Sequence, residues 1–393
     1  MLIVLLTMVQ FTIVLDFTVL APLGAQLMRE LHITAAQFSI LVSAYAVSAG
    51  AAGFLLAGIS DSFDRKKLLL FMYAGFIIGT FLCAIAHTYH FLIMARITAG
   101  IFGGVMSGIS FAIVTDVFDF NVRATVMGFI QMAFSASQIL GIPLGLFFAQ
   151  KWSWNVPFHF IAGLGIVNAL LFWQFVRPID AHLQHRRSAS MLRNIVAIVS
   201  NRKYIRAFLT TFFLATGGFM LMPFSSPFLV YNVGIDEAHL AFVFLSAGMG
   251  TFIFGPIFGR LSDLFGKFKI FAVGSMASAV LVYFYTHLGQ QPLPVVIALY
   301  TLLMVAVSSR MSSSVALISA VPDPSQRGAF MNINSSVQQV SGGIATLIAG
   351  RVLLQNADKS FANFSTLGYI TIATLLICVA LMHNINKIIS FKK

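Results

Sequence analysis

Apolar runs of roughly 20 residues, separated by short polar breaks, recur along the whole chain. That is the length an α-helix needs to cross the hydrocarbon core of a bilayer. The pattern predicts membrane spans over residues 5–27, 37–58, 67–87, 91–114, 124–149 and 157–177, and then over 205–230, 238–259, 269–288, 294–319, 327–352 and 364–388. Helices are the expected element because lipid offers no hydrogen-bond partner to an unpaired backbone group. The longest polar stretch, about Pro178 to Tyr204, falls near the midpoint. It reads as a linker over 178–204 between an N-terminal six-helix half, 1–177, and a C-terminal six-helix half, 205–393.

Composition narrows the class further. The 393 residues are 59% hydrophobic and 9% charged, against about a quarter charged in soluble domains, so the chain cannot build a water-soluble surface. A net charge of +12 does not point to nucleic acid, because the positive charges are sorted by position. With both termini cytoplasmic, 18 of the 24 basic residues fall on the cytoplasmic side, clustered at Arg65–Lys67, in the linker, after the eighth span and at the C-terminus. Only Arg29, Lys151, Arg351 and Lys359 fall opposite, and Arg96 and Arg310 lie within spans. This asymmetry sets the orientation and favours twelve spans over eleven. The first span lacks a basic leader and carries Asp16, so it reads as a retained helix rather than a signal peptide. Cys83 and Cys378 both lie inside apolar runs and suit packing better than a disulfide or metal site.

The two halves share features at nearly one offset. Asp61 and Asp263 are 202 positions apart in similar loops, and Arg123 with Met127 recurs 204 positions on as Arg327 with Met331. Duplicated halves are a common transporter plan. At these residues the chain resembles the major facilitator superfamily, and within it the twelve-helix drug:proton antiporters and the arabinose-efflux-permease-like bacterial proteins. The resemblance covers essentially the full length. It implies an all-α membrane protein of about twelve transmembrane helices in two pseudo-symmetric six-helix halves, placed in a bacterial inner membrane with both termini cytoplasmic and expected as a monomer.

The family's loop between helices 2 and 3, Gly-x-x-x-Asp-Arg-x-Gly-Arg-Lys, stands here as Gly58-Ile-Ser-Asp61-Ser-Phe-Asp64-Arg65-Lys66-Lys67. Gly58 stands one place late, Ser62 replaces the first Arg and Asp64 the second Gly, the last a mild departure because Asp tolerates left-handed backbone better than most residues. The resemblance implies a cytoplasmic gate of Gly58, Asp61, Arg65 and Lys66, echoed by Asp263 and Lys267, with Asp61 docking near the start of helix 11. The alternative is a solvated topology loop.

Leu15-Asp16-Phe17-Thr18-Val19 to Pro22, and Arg96-Ile-Thr-Ala-Gly100, resemble the helix 1 and helix 4 motifs of the antiporters. Each places a charge where insertion costs about 2.5 to 3.5 kcal/mol. The functional reading makes Asp16 the proton-coupling carboxylate, tuned by Arg96. The alternative is a buried ion pair that only holds helices 1 and 4 together. The antiporter motif of helix 5, Gly-x-x-x-Gly-Pro-x-x-Gly-Gly, is matched in part by Gly141, Pro143 and Gly145, residues suited to close packing and a kink between the halves.

Gln131, Ser135 and Gln138 share one face of helix 5, and Asn334, Gln338 and Ser341 one face of helix 11, by their spacing. They read either as two polar stripes along a pathway or as hydrogen bonds between helices. Phe224 lies in a Pro-interrupted run of helix 7, a candidate gate. Arg310 either snorkels to the headgroups or faces the pathway, where it would favour anionic or zwitterionic cargo. The expected function is proton-coupled efflux of a small-molecule substrate by alternating access, with protons and the lipid bilayer as further partners. The alternatives are a symporter or facilitator importing a nutrient and, in another class, a membrane-embedded enzyme or receptor. No phosphate loop, nucleophile-base pattern or metal-ligand cluster stands in the sequence, so no enzyme activity, cofactor or metal is expected.

Overall fold

The computed structural model describes residues 1–56, 63–180, 197–323 and 326–390. These residues form twelve long helices. The first six are α1 (Leu2–Val19), α2 (Ala35–Leu56), α3 (Arg65–Ala84), α4 (Tyr89–Val117), α5 (Phe120–Ala136, continued by a π-turn Ser137–Gly141 and by Ile142–Lys151) and α6 (Val156–Phe175). The last six are α7 (Arg202–Phe219, continued by a 3-10 turn Met222–Phe224 and by Ser225–Tyr231), α8 (Leu240–Phe265), α9 (Lys267–Thr286), α10 (Leu293–Ser319), α11 (Arg327–Val352) and α12 (Phe364–Ser390). The one β-type pairing among the described residues is an isolated bridge, Gln355 with Phe361.

Eleven of these helices are long and apolar enough to cross a membrane. The exception is α11, which carries Asn332, Asn334, Gln338 and Gln339 between Arg327 and Arg351. Its length suffices; its polar residues need protein neighbours rather than lipid.

The predicted spans hold in number, and their departures follow from proline. The first ends at Val19 instead of continuing to residue 27. Pro22 has no N–H to extend the ladder, and the chain turns before a seven-residue helical segment, Gly24–Glu30. In α7, Pro223 sits in the 3-10 turn and Pro227 in the segment that follows. In α5, the amide of Ile142 reaches back five residues to the carbonyl of Ser137, directly before Pro143, whose missing N–H the widened turn accommodates. Asp64 does not use left-handed backbone: its φ is −54°, and it caps α3 by accepting from the amide of Lys67 at 3.1 Å. A capping carboxylate is therefore the physical reason for Asp at this position.

Three buried clusters organise the packing. One draws only on the first six helices, around Leu6, Tyr73 and Phe76, and one on the last six, around Phe271, Phe330 and Met382. The third spans both sets and joins Leu23, Phe38 and Trp154 to Phe224, Phe228 and Phe364. Its members lie at the end of the bundle opposite the chain termini, so the two sets are welded there.

Between them, α2 and α11 run side by side. The Ser43 hydroxyl donates to the carbonyl of Gly343 at 2.8 Å, and at Gly50 a β-carbon would stand 2.8 Å from the carbonyl oxygen of Ser336. Such close approach suits association in lipid, where packing rather than water exclusion drives contact. Gly50→Leu is expected to destabilise the purified protein by about 1–3 kcal/mol, read as a lowered melting temperature in detergent. Gly128→Leu, where a β-carbon meets nothing within 4 Å, is the control with little change. Equal melts for both variants would contradict the α2–α11 contact.

Candidate functional site

Toward the end of the bundle opposite the termini, the last turn of α1 presents Asp16 and the second turn of α4 presents Arg96, both with fully buried side chains. Arg96 Nη1 donates to Asp16 Oδ2 at 2.9 Å and also reaches the backbone carbonyl of Asp16 at 3.3 Å. The other carboxylate oxygen, Oδ1, accepts from the Thr80 hydroxyl of α3 at 3.1 Å. The ring of Tyr45 on α2 lies 4.5 Å from the guanidinium carbon. Four helices thus converge on one pair of charges. The convergence needs small residues: at Gly100, one turn from Arg96, a β-carbon would lie 2.5 Å from the carbonyl oxygen of Tyr45. A side chain there would push Tyr45 off the guanidinium.

The pair is compensated without being saturated. Arg96 Nε and Nη2 and the Tyr45 hydroxyl have no hydrogen-bond partner. The carboxylate, which accepts from one neutral and one charged donor, is better satisfied than its cation. Phe17 connects this centre to the other set of helices: its ring lies 5.4 Å from Tyr45 and 5.8 Å from Phe219 of α7.

The remaining sequence-predicted residues fall into several environments. Gly141 and Gly145 face α1, where β-carbons would press on Leu15 and Val19 at 2.5 and 2.7 Å. They therefore pack inside the first six helices, beside Asp16, and not between the sets as the motif suggested. Contact across the sets comes instead from the π-turn, where the carbonyl of Gln138 lies against Gly248 of α8. On α5, Gln131 is exposed while Ser135 and Gln138 are half-buried; on α11, Asn334 is buried and Gln338 half-buried. Asn334 accepts from the Thr211 hydroxyl of α7 at 2.6 Å, which is a bond between helices.

Phe224 is fully buried, edge-on to Phe38 of α2 and Phe361. It belongs to the welded end. Arg310 does not snorkel: it is 1% exposed, with its guanidinium 5.8 Å from the ring of Phe271.

Gly58 and Asp61 lie outside the described residues. Arg65 is buried and donates from Nε to Asp116 at 3.0 Å, its amide bonds the carbonyl of Ile179, and Lys66 donates to the carbonyl of Trp173 at 2.8 Å. Both therefore bind within the first six helices, while Asp263 and Lys267 are exposed.

The far end carries further polar contacts between the sets. Arg29 pairs with Glu237, Gln150 donates to the backbone carbonyl of Glu237 at 2.5 Å, and the Tyr231 hydroxyl donates to the carbonyl of Ala25 at 3.0 Å. Sequence reasoning missed these residues, together with Tyr45 and Thr80. Arg29 had one available signal, as one of few cations on the sparsely charged side.

Residues 6–224 and 207–385 each match the family model of the Major Facilitator Superfamily. The chain belongs to that superfamily. This transporter is 27% identical over 275 residues to the uncharacterized MFS-type transporter YceJ of Bacillus subtilis, 70% of each chain. It is 27% identical over 252 residues to a probable sugar efflux transporter of Helicobacter pylori, 62% of each, so it spans a little under two thirds of that relative. Among solved structures, a D-xylose-proton symporter superposes with a TM-score of 0.77 at 15% identity, covering 96% of each chain, a likeness of fold.

An unpaired charge in this core is expected to be costly. Asp16→Ala, which strands the Arg96 guanidinium, should destabilise the protein by about 3–5 kcal/mol. Adding Arg96→Leu should recover a large part of that loss. Thermal unfolding of both single variants and the double variant measures the coupling, and additive effects would contradict the ion pair.

Proposed function

We propose that this transporter is a proton-coupled exporter of a small organic molecule, working by alternating access, with Asp16 as the carboxylate that exchanges Arg96 for a proton. The observation that carries the reading is the fully buried Asp16–Arg96 pair between two membrane-spanning helices. Intramembrane ionisable residues are expensive and by default functional. Protonation of Asp16 removes the negative charge that Arg96 Nη1 binds. Arg96 keeps its charge at any physiological pH, so its hold on α1 weakens while that on the Tyr45 ring persists.

The rings of Phe17, Tyr45 and Phe219 lie along the line by which such a change in α1 would reach α7. The Arg29–Glu237 pair and the buried cluster beside it support a conformation closed at the end opposite the termini. With the termini cytoplasmic, as the basic asymmetry favours, that end is periplasmic and the conformation faces inward. Residence in a bacterial inner membrane agrees with bacterial relatives, and export with the printed name of the sugar efflux relative. The half-buried amides Gln138 and Gln338 suit a polar uncharged cargo as pathway residues. Gly58 and Asp61 keep their proposed role in the cytoplasmic gate, with Arg65 and Lys66 anchoring the same loop to the first six helices.

The test uses proteoliposomes with an imposed pH gradient and two probe cargoes, a radiolabelled pentose and a fluorescent cationic dye. Asp16→Asn, which keeps the shape and one acceptor oxygen but cannot carry the negative charge, is expected to abolish uphill movement of the transported probe while downhill exchange persists. Uphill transport at the wild-type rate in Asp16→Asn would place coupling elsewhere and leave the pair a structural clamp.

A further inference from the structure

The last six helices bury a charge that, unlike Arg96, meets no carboxylate among the described residues. Arg310 on α10 is 1% exposed. Its guanidinium stands over the Phe271 ring of α9 at 5.8 Å and beside the Cys378 thiol of α12, and its Nε and Nη2 have no hydrogen-bond partner. Every acidic residue after the linker lies at a helix end or in a connection: Asp236, Glu237, Asp263, Asp323 and Asp358. Among the described residues, no carboxylate comes within ion-pair distance of Arg310.

Arginine cannot relieve this by losing its proton. An aromatic face offsets part of the charge and a thiol is a weak acceptor. On α9, the buried hydroxyl of Ser275 also has no partner. It follows Gly274, where the two helices touch closely enough that a β-carbon would come within 3.3 Å of the Arg310 amide nitrogen. The groups left open at this contact are a cation, two of its N–H donors and a hydroxyl able to donate. Buried water could accept from the donors, yet it would leave the charge unmatched, and a buried charge needs a counter-charge.

We propose that Arg310, with Ser275 and the face of Phe271, forms an anion site inside the last six helices that takes a monoanion of halide or carboxylate size. The guanidinium is almost wholly buried, which limits the ligand to a small ion or to the carboxylate end of a larger molecule. Either source presents the same chemistry: a free inorganic anion, or the carboxylate of a cargo. The site involves neither Asp16 nor Arg96, so it stands or falls independently of proton coupling.

The experiment is thermal unfolding of the purified full-length protein in detergent, with the bulky sulfonate MES as background anion at constant ionic strength. Chloride, bromide, formate and acetate are titrated separately. Wild type should show a saturable rise of at least about 2 °C with a small monoanion, absent in Arg310→Gln. A response to halides assigns the site to an inorganic ion, and one to formate and acetate alone assigns it to a carboxylate group. If Arg310→Gln does not fold, crystals of wild type soaked in bromide, or in bromoacetate when only carboxylates act, should show anomalous scattering beside the guanidinium. No saturable effect of any of the four anions on wild type would overturn the site, as would an equal rise in folded Arg310→Gln or anomalous scattering only elsewhere.

Discussion

Lipid gives a charge no solvent, so every ionised group placed at mid-membrane depth must find its partner inside the protein. The first six helices meet that demand by bringing Asp16 of α1 to Arg96 of α4, with Thr80 from α3 and Tyr45 from α2 completing the surroundings. Much of the local packing serves this meeting. Gly100 lets α2 come close enough to lay the Tyr45 ring against the guanidinium, while Gly141 and Gly145 let α5 settle on Leu15 and Val19, either side of Asp16. The same constraint applied to the last six helices leaves Arg310 without a carboxylate among the described residues. The two sets therefore share a helical plan but differ in electrostatics.

The two ends of the bundle differ as well. Opposite the termini, one apolar cluster crosses between the sets, backed by Arg29 with Glu237 and by Tyr231 with the carbonyl of Ala25. Exposed ion pairs contribute little, about 1 kcal/mol or less, and Arg29 is nearly half exposed. The aromatic packing of Phe38, Phe224 and Phe228 supplies most of the closure, and Arg29 with Glu237 adds alignment. At the termini end, Arg65 and Lys66 are held within the first six helices and Asp263 and Lys267 face outward. One end is thus held by hydrophobic contact between the sets, while at the other the charged side chains are bound within one set or exposed.

The number and order of helices were legible in the sequence because apolar length is a one-dimensional signal. Even α11, too polar by composition, could be read through its correspondence with α5 at Arg327 and Met331. Where helices break was less legible. Pro22 stops α1 at Val19, yet Pro256 lies inside an unbroken α8, so proline alone did not foretell the break. Asp16 and Arg96 stood out because charges are rare in apolar runs. Tyr45 and Thr80 did not, since nothing in their own helices separates them from packing residues until the fold sets them beside the pair. The stripe on α11 shows the limit of face-by-face reading: spacing grouped Asn334 with Gln338, but Asn334 is engaged by Thr211 from α7, a contact that no periodicity contains.

The central claim is that Asp16 itself gains and loses a proton while the protein works. Infrared difference spectroscopy of the transporter in lipid, stepped between neutral and acidic pH, reads that event without knowledge of the cargo. The account predicts a protonated-carboxyl band that appears on acidification in wild type, shifts in deuterated water and is missing in Asp16→Asn. The same band at full strength in Asp16→Asn would contradict it, because the proton would then reside on another group.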